Sequence, residues 1–270
     1  MGENVVHSAL WTAAYAGDTD RVRILVGHGE NVNEIDSNVH LPYPLWAACS
    51  GRHVSTAQVL IDAGANIEST NVVGNTPLLY FGAFPSILKM LMKAEANIHA
   101  VDRNGNSILL RVVKSNNQEA LMELYDRGMY LSHRDNFRFT CLHVAAAVNQ
   151  VDMLLTLLDL NMDIDSTNST GMTALHTAAT HGHVCAVAAL LIRNADIHIK
   201  NADNETAAQA AQRKNHAQIA RMIGNEELRR DRILQPRKLA FAMGEHSRIG
   251  QGSVMNGISP EIARIVSQFM

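Results

Sequence analysis

The chain has 270 residues, 47% of them hydrophobic, which is enough to bury a sizeable core and too apolar for a chain that stays disordered. Its net charge of −3 and pI near 6.5 lack the basic excess that a phosphate-binding surface needs, so nucleic acid is excluded as the expected partner. No apolar run approaches the roughly 20 residues that span a bilayer, and no basic stretch leads an apolar one in MGENVVHSAL, so a soluble cytosolic protein is expected.

In chain order, seven segments resemble one another: SALWTAAYAGD, YPLWAACSGRH, TPLLYFGAFPS, SILLRVVKSNN, TCLHVAAAVNQ, TALHTAATHGH and TAAQAAQRKNH. They align on Leu10, Leu45, Leu78, Leu109, Leu142, Leu175 and Ala208, at successive separations of 35, 33, 31, 33, 33 and 33. In the sixth unit Leu175, Ala178 and Ala179 fall at i, i+3 and i+4 and make one apolar stripe, and Val187, Leu190 and Leu191 repeat it, which predicts two short antiparallel helices. Thr173 is placed to cap the first helix and Gly182 to end it in a left-handed conformation. A pair of short helices cannot cover its own apolar faces, so neighbouring pairs must stack.

The 33-residue period and the Thr-Ala-Leu-His and Thr-Cys-Leu-His stretches resemble the ankyrin repeat, over residues 5–223. That resemblance implies an all-α solenoid of helix-loop-helix units with projecting β-turn fingers. The units start near 7, 42, 75, 106, 139, 172 and 205, and residues 224–270 form a helical C-terminal tail or cap. It also implies a non-enzymatic protein-interaction module, monomeric alone, binding one or more proteins on a concave face lined by the first helices. The 35-residue spacing predicts a longer first finger, and the 31-residue spacing a local irregularity around Phe81, Gly82 and Pro85.

No phosphate loop, paired-carboxylate site or nucleophile elbow is present, so no catalytic residue and no cofactor are expected. His176, His181, His183 and Cys185 do not converge on one helix face, which argues against a metal, and His143 and His176 are expected to bond across the turn between units. Cys49, Cys141 and Cys185 read as isolated thiols in a reducing compartment.

Candidate binding residues follow from the first-helix positions just beyond each aligned leucine. These hold Trp11 and Tyr15 in unit one, Trp46 in unit two with Tyr43 ahead of it, and Tyr80 and Phe84 in unit three. The two tryptophans share the slot where the repeat usually has His, and they read as an aromatic contact cluster, with mutual stacking as the competing reading. Arg111 and Lys114 make the fourth unit's face basic. In the fifth finger Arg138 stands where Gly74, Gly105 and Gly171 stand elsewhere, flanked by Phe137 and Phe139. That predicts either an altered turn or tolerated strain, with the aromatics contacting a partner or tucking under a neighbouring finger.

The tail ends in ISPEIARIVSQFM, where Ser259 can cap a helix opened by Pro260 and Glu261, and Ile262, Ile265, Val266 and Phe269 recur at helical spacing. This stretch resembles the truncated F-box-like segment of some viral and bacterial ankyrin proteins, with Ser259 in place of a Leu. The resemblance implies an alternative role as a substrate-recognition adaptor for a cullin-type ubiquitin ligase, in the host cytoplasm if the protein is an exported effector.

Overall fold

The computed structural model describes residues 7–36 and 40–242, with side chains described as far as Arg230. The described residues form fourteen α-helices and no strand, and isolated bridges, Val101 to Ser107 and Lys200 to Thr206, pair the limbs of two fingers. The all-α expectation holds.

The chain forms two compact units, residues 1–136 and 137–270. In the first, four helix pairs follow one another: α1 (Ala9–Ala16) with α2 (Thr19–Gly27), α3 (Pro44–Ser50) with α4 (Val54–Asp62), α5 (Pro77–Phe81) with α6 (Pro85–Lys93), and α7 (Ile108–Lys114) with α8 (Gln118–Asp126). First helices pack on first helices, α1 on α3, α3 on α5 and α5 on α7, while α2 packs on α4 and α4 on α6. The second unit repeats the scheme with α9 (Cys141–Ala147) and α10 (Val151–Asp159), α11 (Ala174–His181) and α12 (Val184–Ile192), and α13 (Ala207–Arg213) and α14 (Ala217–Ala242). Leu10, Leu45, Leu78, Leu109, Leu142 and Leu175 are all buried, so within each compact unit neighbouring pairs hide their stripes against one another.

The helices start where hydroxyl side chains meet their unpaired amides: Ser8 accepts from the Trp11 N–H, Thr76 from Leu79, Thr173 from His176 and Thr206 from Gln209. Pro44, Pro77 and Pro85 stand at first-turn positions, where no amide hydrogen is needed. Three places in the repeat turn the chain through the left-handed region, and Gly or Asn fills most of them. Arg52, Glu95 and Arg138 are the exceptions, at φ of 59, 62 and 61°.

The two-residue deletion in the third unit falls inside its first helix. Pro85 follows Leu78 by seven residues, whereas Val54, Gln118 and Val151 begin second helices nine residues after Leu45, Leu109 and Leu142. Helix α5 is accordingly only five residues long and ends at Gly82 in a right-handed conformation. A Cβ on Gly82 would collide with the Ile108 side chain and the Leu78 carbonyl, so the glycine lets α7 approach the shortened helix.

The second helix of the seventh unit does not stop where its counterparts do. Its continuation carries it unbroken through 223 and 224, where the tail was expected to begin, as far as Ala242. The left-handed residue that ends α12, Asn194, has Glu227 as its counterpart 33 residues on, and Glu227 stays helical. Glu226, almost fully buried, receives Arg229 at 2.6 Å and Arg230 at 3.0 Å, and Arg230 also donates to the Ala195 and Leu191 carbonyls at the end of α12. This cluster anchors the overlong helix to its neighbour.

Candidate functional site

The repeated spacing of Thr and His builds a polar seam through the second unit. The Thr140 amide donates to His143 Nδ1 at 3.2 Å, which leaves the ring proton on Nε2, and Nε2 donates to the Met172 carbonyl at 2.8 Å. His176 does the same from Thr173 to the Glu205 carbonyl, at 3.3 and 3.1 Å. Burial pushes His176 below the ordinary histidine range, and the backbone bond at Glu205 only partly opposes it, so the neutral ring that this pattern requires is the favoured form. Both nitrogens of each ring are occupied. No group of three or more His, Cys, Asp or Glu side chains suited to a metal ion occurs among the described residues.

The tryptophans in the same slot do a related job, and here the sequence reading needs correction. Trp46 is fully buried, its indole N–H donating to Ser69 Oγ at 3.2 Å. Trp11 is buried too, its N–H donating to the Leu41 carbonyl of the next finger at 2.8 Å. That bond is the counterpart of the one His143 makes, because both reach a carbonyl just ahead of the next unit's first helix. The indoles therefore supply an inter-unit donor and core volume rather than accessible contact area, and they do not stack on each other. Trp11 lies between His7 and Tyr15, with ring centroids 4.1 and 5.1 Å away, and Trp46 lies 5.5 Å from both Tyr80 and Phe81.

What remains outside is narrower than expected. Tyr15 is 52% and Tyr80 42% exposed, each resting on a buried tryptophan. Tyr43, at the cap position of α3, is half-buried. Phe84 is half-buried beneath Arg52, whose guanidinium lies 4.2 Å from the ring centre. Lys114 is exposed, and Arg111 reaches back to Asn75 Oδ1 at 2.6 Å and Asp102 Oδ2 at 3.4 Å. The structure thus brings Tyr80 and Arg111 onto equivalent positions of the packed helices α5 and α7. The sequence reading missed Arg52, Asn75 and Asp102. The one available signal was Arg52, an arginine in a turn that elsewhere takes Gly or Asn.

In the second unit, Arg138 takes the left-handed conformation of the glycines it replaces, so the fifth finger keeps its shape. Phe139 is half-buried and meets His143 edge-on at 5.6 Å, whereas Phe137 is 58% exposed and its carbonyl accepts from the Ser169 amide at 2.9 Å. One aromatic tucks in and the other projects. Pro260, Glu261, Ile262, Ile265 and Phe269 lie outside the described residues.

Against known proteins, residues 10–83 match the family of ankyrin repeats (3 copies) and residues 142–192 that of ankyrin repeats (many copies). The chain carries ankyrin repeats. Its fold is similar to the ankyrin repeat domain of Bcl-3, a member of the IkappaB protein family, with a TM-score of 0.66 and 24% identity over 79% of this chain and 98% of that one. It is also similar to the human ASB11 ankyrin repeat domain, with a TM-score of 0.68 and 25% identity over 80% and 97% of the two chains. Curated relatives include an ankyrin repeat and KH domain-containing protein of Caenorhabditis briggsae, 27% identical over 132 residues, and mask-1 of Caenorhabditis elegans, 28% identical over 123. These alignments cover 47% and 44% of this chain, which spans only 5% of the length of either relative. Ankyrin repeats are in general protein-interaction modules without enzymatic activity, and no helix among the described residues is long and apolar enough to cross a membrane.

Proposed function

We propose that this chain binds a partner protein on the first-helix face of its N-terminal unit, with Tyr15, Tyr43, Tyr80, Phe84, Arg111 and Lys114 as contacts, and that Phe137 and Arg138 on the fifth finger form a separate contact. The observation that carries the reading is the exposure of Tyr15 and Tyr80 on helices whose other large side chains are buried. Large amphipathic rings held rigid from beneath, as Tyr80 is by Trp46 and Phe81, lose little entropy on binding and contribute strongly at interfaces. Trp11 and Trp46 act beneath this surface as its support.

The test is cross-linking mass spectrometry in cells, comparing the natural chain with Tyr15→Ser, Tyr80→Ser and Phe137→Ser. Loss of a shared partner by the first two, with the thermal midpoint held within about 3 °C, supports the reading. Unchanged partners in all three variants would refute it. The adaptor alternative rests on the sequence of residues 259–269. A pull-down with and without residues 243–270 tests it, and a ligase subunit retained by the shortened chain disposes of it.

A further inference from the structure

In the N-terminal unit the first helices, α1, α3, α5 and α7, carry Arg111 and Lys114 and no aspartate or glutamate, whereas the second helices mix acidic and basic side chains. On these helices Tyr80 is therefore accompanied by cations alone, while the adjoining finger brings the Asp102 carboxylate to Arg111.

Arg111 is held in an unusual way. Its short bond goes to a neutral partner, Asn75, at 2.6 Å, and the contact with Asp102 is long, at 3.4 Å. Asp102 is otherwise occupied by its own finger: it accepts the Asn104 and Asn106 amides at 2.9 Å and the Asn106 side chain at 3.0 Å. The charge of Arg111 is consequently only part-compensated. Its Nε is buried with no acceptor, a loss that a solvent-facing arginine would avoid by swinging outward. Asn75 and Asp102 thus hold the guanidinium in one place at a cost in unmet hydrogen bonding, with the side chain 32% exposed and its Nη1 making no hydrogen bond among the described residues. Lys114, one turn on, is exposed and has no carboxylate within ion-pair distance among the described residues.

We propose that the first-helix face of the N-terminal unit docks an extended acidic segment of a partner protein, with a carboxylate on the fixed Arg111 guanidinium and the Lys114 ammonium, and an apolar side chain against Tyr80. This rests on the binding face proposed above and adds its chemistry. A guanidinium already held in place loses less entropy when it takes up a carboxylate, and the first helices add no carboxylate to that of Asp102, which the donors of its own finger hold 3.4 Å from Arg111.

The experiment pans a displayed library of random peptides on the full chain and measures the selected peptide by fluorescence anisotropy at low and high sodium chloride. Acidic peptides should be selected, and they should weaken by roughly tenfold or more on Arg111→Gln and about threefold on Lys114→Gln. Raising salt should weaken them further. Should Arg111→Gln lower the thermal midpoint, Lys114→Gln decides the matter, since that side chain is exposed. Selected peptides that are neutral or basic, yet are lost on Tyr80→Ser, overturn the acidic partner and keep the face. Peptides indifferent to Arg111, Lys114 and Tyr80 overturn both, as does a panning that selects none.

Discussion

At the scale of single residues, Trp11, Trp46 and His143 fill one slot of the repeat and perform one task, while Leu79 and Leu110 fill it in the third and fourth repeats with no side-chain donor. His143 and Trp11 each send a ring N–H to a carbonyl ahead of the next unit's first helix, and Trp46 sends its own to Ser69. Truncating Trp46 to Ala should therefore cost about 3–5 kcal/mol of stability in urea unfolding, as for any large buried ring. A partner lost by that variant would report unfolding; Tyr80→Ser is the cleaner probe. Glu95 tells the reverse story, since it is exposed, holds φ at 62° and its side chain makes no bond among the described residues that rewards the strain. The left-handed penalty of about 1–2 kcal/mol exceeds the roughly 0.5–1 kcal/mol by which glycine's freedom favours the unfolded chain. Glu95→Gly should raise stability by about 0.5–1 kcal/mol, and an unfolding midpoint that falls instead would contradict this account. Arg52→Gly should gain nothing, because the guanidinium stacked on Phe84 goes with it.

Two elements depart from the repeat, each for a local reason. Helix α5 lost two residues, and Gly82 lets α7 close on the gap; Gly82→Ala should destabilise the chain by about 2 kcal/mol, read from the denaturant midpoint. Helix α14 overruns because nothing at Glu227 turns it, and Glu226 with Arg229 and Arg230 ties the overrun to α12. Burial alone would push the Glu226 carboxyl up, but hydrogen bonds from Arg229 and then Arg230 outweigh it and leave the group below its ordinary value of 4.5. A depressed carboxylate contributes stability that is complete above the unfolded value and is lost as pH falls through the folded one. Wild type should therefore exceed Glu226→Gln in stability at neutral pH, and the gap should close under acid. A gap of constant size from neutral pH to acid would rule the anchor out as a charged one.

At the scale of the whole molecule, the repeats within each compact unit are held together by polar contacts laid over a repeated core. Each His in the Thr-His seam must be neutral to accept from its threonine amide. His176, lowered by burial, contributes stability that is complete above the unfolded value of 6.5 and is lost as pH falls toward the folded one. Gln209 shows how the seam survives without a titrating group, since its side-chain oxygen caps Thr206 at 2.9 Å in the seventh unit. His176→Gln should accordingly flatten the fall in stability between about pH 7 and 5, measured by urea unfolding at several pH values.

The helix pairs, their order, the cap at Thr173, the left-handed Gly182 and the irregular third unit were all legible in the chain, because a 33-residue period writes the same local physics seven times. The aromatic surface was read less well. Position on a helix says which way a side chain leaves the backbone, and Trp46 and Tyr80 leave α3 and α5 one position apart in the repeat. Only the packing of α3 on α5 decided that the indole is enclosed and the phenol is left outside, and only the meeting of two fingers set Asn75 and Asp102 around Arg111. Periodicity is a property of neighbours along the chain, while burial and the sharing of hydrogen bonds belong to residues that become neighbours only once the repeats have stacked.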